Sequence, residues 1–315
     1  MSAVTWYNPL RLRRRPASTG ETTGHRVDNR ATPGAPSPLP RLPAWEERLS
    51  YRLFFLLSPP AEGSSSAPLP EFAPFEEVTV PRRRGPGSLA GTWYPAPGSS
   101  RGAVLLLHPW MGWGRAYFHR RGRIQALRRA GYHVLAVDLP GFGASGPPAG
   151  FFDLEVEDAV TGLRARADGL PLHVWGISSG GYWAHPVLGR GDALAGAMFE
   201  DVSPHLFEWG WRMVPWARPG YFFFRRVFRR SYRFLDMRRH AAAFRARAVA
   251  YVSGELDPGV RPEDTRALAA AARAEAFIVP RAGHLQSIKT AGAEVIALAL
   301  ATFARAEGAS PNSSR

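Results

Sequence analysis

Ser178 stands in the pentapeptide Gly176-Ile177-Ser178-Ser179-Gly180, with a glycine two residues away on each side. A serine hydroxyl becomes a useful nucleophile only when a base takes its proton, and that base needs a carboxylate to fix its tautomer and orientation. Downstream, Asp257 in "SGELDP" and His284 in "PRAGH" supply both residue types, in the chain order serine, aspartate, histidine. Such a trio can attack the acyl carbon of an ester. Glycines suit the flanks because the backbone at a sharp strand-to-helix turn is strained and side chains there would collide. Competing assignments exist. Ser179 as nucleophile would place Ile177 and Gly181 in the frame, and isoleucine fits a crowded turn poorly. Glu255 and Asp201 are alternative carboxylates, the latter just after the preceding strand.

These residues must be held by strands ending side by side. Leu172, Val174 and Trp175 lead into the pentapeptide as an apolar, β-prone run, and Tyr182 to Leu188 beyond it reads as a helix. Elsewhere the same alternation recurs. "EEVTVPR" and "LAGTWYPAP" resemble an antiparallel pair, "GAVLLLH" a buried parallel strand, and "AYFHRRGRIQALRRAG" a helix capped by Gly131. "YHVLAVDLPGFGAS", "LAGAMFEDVS", "RAVAYVSGELD" and "EAFIVPRAGH" are further strands with their exit loops. Between them "FFDLEVEDAVTGLRARAD", "RPEDTRALAAAARA" and "AGAEVIALALATFARA" are helices. The pattern predicts an α/β domain with a mostly parallel sheet covered on both faces, whose reactive groups gather at the carboxyl ends of the strands.

One connection is too long for that scheme. Residues 204–244 separate two strands by about forty positions rich in Trp, Tyr, Phe and Arg, where an α/β unit ordinarily uses ~2–6. They are expected to form an inserted helical lid. At the front, residues 1–42 are a Pro-, Gly-, Ser- and Arg-rich arm expected to be disordered, 43–74 an N-terminal helix with a linker, and 308–315 a disordered tail. The core is assigned to 75–203 and 245–307.

Composition narrows the chemistry. Among 315 residues there is no cysteine, which excludes disulfides, thiolate nucleophiles and Cys-ligated zinc. The nine histidines show no H-x-x-x-H spacing, so neither metal nor cofactor is expected. The net charge of +14 comes almost wholly from arginine, Lys289 being the only lysine. Those arginines are spread along the chain without a nucleic-acid motif, so no nucleic-acid partner is expected. No apolar run approaches the ~20 residues of a membrane span, and no h-region of ~7–15 residues follows the basic patch from Arg11 to Arg15. The expectation is a cytoplasmic protein without stable membrane insertion.

Taken together, the "GISSG" elbow, the "VDLPGFGAS" loop, the "SGELDP" acid turn and the "PRAGH" histidine turn resemble the α/β-hydrolase superfamily, over roughly residues 75–305. The resemblance implies an eight-stranded sheet and cleavage of an ester-like bond through an acyl-enzyme. By position it makes Ser178 the nucleophile, His284 the general base and then acid, and Asp257 the orienting carboxylate. Ser179 would give one backbone N–H to the oxyanion hole. The second donor should follow the "AVLLLH" strand, where family members often read His-Gly-x and this chain reads His108-Pro109-Trp110. Proline has no N–H, which leaves Trp110, or Met111 if the loop is shifted by one. His108 and Asp138 are expected to support loops. Lid aromatics such as Trp209, Trp216 and Phe223 are candidates for contact with a small-molecule ester or thioester carrying an apolar acyl group. Acyl transfer, cyclisation, and lyase or haloperoxidase-like chemistry on the same fold are the rivals, and a basic interaction protein with a silent site is a third reading.

Overall fold

The computed structural model describes residues 40–57, 68, 70–110, 113–191 and 194–308. Most of the expected N-terminal arm, nearly all of the linker, Met111 and residues 309–315 lie outside these. Helix α1 (Ala44–Leu57) follows Pro43 and carries Glu46 and Glu47 in its first turn, where the helix dipole favours negative charge. The chain then runs β1 (Glu76–Pro81), β2 (Ser88–Tyr94), β3 (Gly102–Leu107), α2 (Arg123–Arg129), β4 (Tyr132–Val137), α3 (Asp153–Arg166), β5 (Leu172–Ile177), α4 (Ser179–Gly189) and β6 (Gly196–Glu200). Four helices follow, α5 (Leu206–Met213), α6 (Arg218–Val227), α7 (Arg229–Phe234) and α8 (Met237–Ala241). The remainder is β7 (Ala248–Gly254), α9 (Pro262–Ala272), β8 (Glu275–Val279), α10 (Ser287–Thr290) and α11 (Gly292–Gly308).

The eight strands form one sheet in the order β1-β2-β4-β3-β5-β6-β7-β8. β2 pairs antiparallel with β1 and β4, and the other pairings are parallel. β3 lies at the centre, Leu105 opposite Leu135 on one side and Val174 on the other. All six of its residues are buried, as its unbroken apolar run requires of a strand covered on both faces. Leu105 and Leu107 join the core under α3 and α4, while Val104 and Leu106 join the core under α2 and α11.

From β3 the chain crosses to β4 on one flank and returns through α3 to β5 on the other. The connections leaving β3 and β5 therefore diverge and open a crevice at their carboxyl ends. Residues 108–110 and Ser178 emerge into it.

Two expectations need correction. The segment after His108 is not one helix: a 3₁₀ turn (Gly114–His119) and α2 are separated by Arg121 and Gly122, at φ 65° and 73°. Gly122 carries no Cβ penalty there, so the chain turns sharply and buries Arg123 at the start of α2. The core also begins before residue 75, because a second 3₁₀ turn (Pro70–Phe72) inserts Phe72, fully buried, beside Tyr94.

Candidate active site

Ser178 sits between β5 and α4 at φ 48° and ψ −115°, a conformation that costs a non-glycine residue of order 1–3 kcal/mol and must be imposed by its surroundings. Its N–H donates to Glu200 O at 2.8 Å and its carbonyl accepts from Tyr182 N at 2.8 Å. The flanking glycines are required by close approach. A Cβ on Gly176 would lie 2.5 Å from Gly181 Cα, one on Gly180 2.3 Å from Leu107 O, and one on Gly181 2.5 Å from Val202 Cγ2. The pentapeptide frame thus extends by one glycine, to Gly181.

The three expected side chains meet. Ser178 Oγ is 3.2 Å from His284 Nε2, and His284 Nδ1 is 2.6 Å from Asp257 Oδ2. Asp257 is buried, and its other oxygen accepts the N–H groups of Gly259 at 2.8 Å and Val260 at 2.9 Å. That clamp leaves Oδ2 for the imidazole. With Nδ1–H donating to the carboxylate, Nε2 of the neutral ring is the acceptor facing the serine hydroxyl. Burial of His284 opposes its charged form, but the hydrogen bond and charge of Asp257, with the charge of Asp201 added, outweigh it and hold the imidazole pKa above its ordinary value.

The alternative acids have other work. Asp201, fully buried at φ 52°, accepts from Gly254 N at 3.2 Å through Oδ1 and from Leu285 N at 2.8 Å through Oδ2. It ties the ends of β6 and β7 to the residue after the histidine. Burial pushes its carboxyl up to about 7, the positive field of His284 opposing and the charges of Glu200 and Asp257 assisting. Ligand atoms of Asp201, Asp257 and His284 all lie within 4.8 Å of one another. Each carboxylate oxygen in the group already accepts an N–H, so hydrogen bonding accounts for the cluster without a cation. Glu255 instead accepts from Arg281 N at 2.9 Å.

On the other side of the serine, Ser179 opens α4 and presents its N–H at the helix N-terminus, where a developing negative charge is favoured. Trp110 stacks on Phe152 with centroids 5.7 Å apart and meets Phe142 edge-on at 5.3 Å. His108 is pushed down to about 4 by burial; its Nε2 accepts from Leu139 N at 2.9 Å and its Nδ1 donates to Pro109 O at 2.7 Å. It is a neutral brace between this loop and the exit of β4. Asp138 accepts from Arg115 N at 2.7 Å, which fixes the following 3₁₀ turn.

Sequence reasoning missed a buried ion pair beneath the elbow. Arg123 donates to both oxygens of Glu200, at 3.0 and 2.7 Å through Nη2, and Trp175 Nε1 donates to Glu200 Oε1 at 2.6 Å. Glu200 is also the residue whose carbonyl holds Ser178. The adjacent acids in "FEDVS" were the available signal, but their opposite destinations follow from strand alternation.

From α4, Tyr182 Oη donates to Leu235 O, between α7 and α8, at 2.5 Å, and Arg212 on α5 pairs with Asp264 and donates to Gly259 O at 3.0 Å. Of the expected lid aromatics, Trp209 alone abuts the acid turn, its Nε1 2.4 Å from where a Cβ on Gly259 would stand. Trp216, in the 3₁₀ turn Pro215–Ala217 before α6, and Phe223 on α6 instead project into solvent, 75% and 62% exposed, the buried positions of α6 being Tyr221 and Phe224. Two surface clefts, of about 420 Å³ between β8 and α11 and about 190 Å³ between α1 and α3, are lined by none of the three site residues.

A family model described as the alpha/beta hydrolase family matches residues 104–298. Among curated proteins, a haloalkane dehalogenase from Psychrobacter cryohalolentis is 40% identical over 70 residues, which is 22% of this chain and 22% of that protein. Among solved structures, an esterase from Pyrococcus furiosus superimposes with a TM-score of 0.60 at 17% identity, covering 78% of this chain and 98% of its own. A thermostable carboxyl esterase from Bacillus coagulans, in complex with glycerol, gives 0.59 at 15% identity, over 74% and 99%.

Proposed function

Because the chain belongs to the alpha/beta hydrolase family, we propose that it is a serine hydrolase that cleaves a carboxylic ester or thioester through an acyl-enzyme on Ser178. The observation that carries this reading is the relay Ser178 Oγ, His284, Asp257, with steps of 3.2 and 2.6 Å. Ser178 Oγ bonds to the acyl carbon while its proton passes to His284 Nε2, and the imidazolium is stabilised by Asp257. The oxyanion of the tetrahedral intermediate accepts from the Ser179 N–H and, on the second side, from Trp110 N–H. His284 then protonates the leaving alcohol or thiol. In the second half-reaction His284 takes a proton from water, the hydroxide attacks the acyl carbon, and Ser178 leaves with the proton returned. Removing one oxyanion donor of this kind ordinarily costs ~3–4 kcal/mol of transition-state stabilisation.

The segment 204–244 acts as the lid in this reading, with Trp209 beside the acid turn placed to meet an apolar acyl group. Serine at the elbow argues against the alkyl-enzyme chemistry of dehalogenases, whose members usually carry aspartate there. The test is a panel of acyl esters and acyl thioesters of graded chain length, run on wild type and S178A, with an alcohol or amine acceptor added in parallel. Hydrolysis in wild type, rising with acyl length and lost in S178A, is expected. Acyl product appearing on the acceptor in preference to water would reassign the enzyme to acyl transfer.

A further inference from the structure

The residues that α6 turns away from the protein are not those of an ordinary solvated face. Tyr221, Phe224 and Phe228 point inward at helical spacing, and Phe222, Phe223, Arg226 and Val227 point outward, with Phe222 58%, Phe223 62% and Val227 52% exposed. Met213 and Trp216 add exposed apolar surface just before the helix. From Trp209 to Leu235 the sequence holds seven arginines and no acidic residue. Arg212 is committed to Asp264, but Arg225, Arg226, Arg229, Arg230 and Arg233 are exposed and form no ion pair among the described residues. Helix α1, docked on α7 where Glu46 Oε1 accepts from Ser231 N at 3.0 Å, carries a second exposed stripe of the same kind: Trp45, Arg48, Leu49 and Arg52.

From this we propose that the outer face of α6, with the α6–α7 arginines, docks on an anionic lipid surface. An amphipathic helix rich in arginine with aromatic and aliphatic side chains beside it is suited to lie in the plane of a headgroup layer, the rings entering the acyl boundary and the guanidinium groups pairing with phosphates. Charge complementarity selects this occupant. A second copy docked face to face would set one arginine cluster against another. Residues 1–39 hold six arginines and only two acidic residues, so their composition offers this face no complementary charge. A nucleic acid would use the arginines and rings, but it leaves Met213 and Val227 without a role. Among the described residues no helix is long and apolar enough to cross a membrane, and the contact proposed is a peripheral one. The inference is independent of the role given to Ser178.

The experiment is co-sedimentation of the full chain with phosphatidylcholine vesicles, with and without phosphatidylglycerol, at low and high salt. Wild type is expected to pellet with the anionic vesicles, weakly with neutral ones, and less as salt screens the contact. R226E/R230E should lower the partition coefficient by about tenfold or more, from ~1 kcal/mol per basic residue near an anionic surface. W216S/F223S should lower it by at least about tenfold through lost apolar burial. Both pairs are solvent-exposed, so the thermal midpoint should stay near wild type, and a variant that unfolds is replaced by R229E/R233E. Wild type remaining in the supernatant, or both variants pelleting like wild type, overturns the proposal. So does stripping of the protein from vesicles by a stoichiometric polyuridine oligomer, which assigns the face to nucleic acid. A dimer by light scattering that R226E/R230E dissociates would likewise assign it to a second copy.

Discussion

At the carboxyl end of the sheet, Asp257 and Asp201 are buried with all four carboxylate oxygens accepting N–H donors, while on α6 and α7 five arginines stand exposed with no acid paired to them among the described residues. The same contrast holds for apolar groups. Trp175 and Phe199 lie wholly buried along β5 and β6, but Trp216 and Phe223 face outward. In the first region a change of one atom leaves an N–H unpaired or drives a Cβ into a backbone, so geometry is set by many simultaneous constraints. In the second, a side chain can change with little consequence for its neighbours. On the readings proposed above, chemistry falls to the constrained region and contact with a surface to the other.

Substitutions should separate the two regions by the size of their effects. S178A is expected to lower ester turnover by about 10⁴-fold or more while the thermal midpoint stays near wild type; steady-state kinetics with a p-nitrophenyl ester checks it. D257N should cost about 10³–10⁴-fold in kcat, since an amide no longer holds the required tautomer. It should also move the acid limb of kcat/KM. The base must be neutral, and in wild type Asp257 stabilises the imidazolium and raises the pKa above the usual histidine value, so activity falls as pH drops through that raised value. In D257N burial remains without its principal counterweight, and the limb shifts to lower pH. A pH–rate profile decides the sign.

D201N is the sharper discriminator. Asp201 touches the histidine loop through Leu285 N and supplies no hydrogen bond to the ring itself. An asparagine has a single acceptor oxygen, so one of the two N–H groups it now satisfies loses its partner, at about 1–3 kcal/mol. Thermal melting should show that loss, with kcat reduced far less than in D257N. A fall equal to that of D257N would make Asp201 a second catalytic acid and blur the comparison. The smallest effects are expected in the helical segment. W209A should raise KM several-fold for long-chain esters, whereas W216S should leave KM for a soluble short-chain ester unchanged.

How much of this was legible beforehand depended on whether local or distant constraints decide. The alternation of apolar runs and turn residues placed every strand, and Ser178, Asp257 and His284 fell at strand ends because those positions are set by local pattern. Gly176 and Gly180 were readable as turn residues, but the need for Gly181 comes from Val202 on the next strand exit. The break before α2 was hidden because Arg121 and Gly122 interrupt an otherwise helical composition, and the buried Glu200 that Arg123 meets lies 77 residues away. Residue type alone makes Trp216 and Phe223 no more than candidates for substrate contact. The outward direction of Phe223 follows from the phase of α6, which is fixed when Tyr221 and Phe224 pack on Phe207, and Trp216 lies in the turn before that helix.

The central claim, that Ser178 is the group that becomes acylated, is tested most directly by intact-mass and peptide analysis after incubation with a fluorophosphonate probe. One adduct is predicted, on the peptide containing Ser178 and at that residue, formed slowly in D257N and absent in S178A. A folded protein that takes up no label, or one labelled at Ser179, would contradict the account.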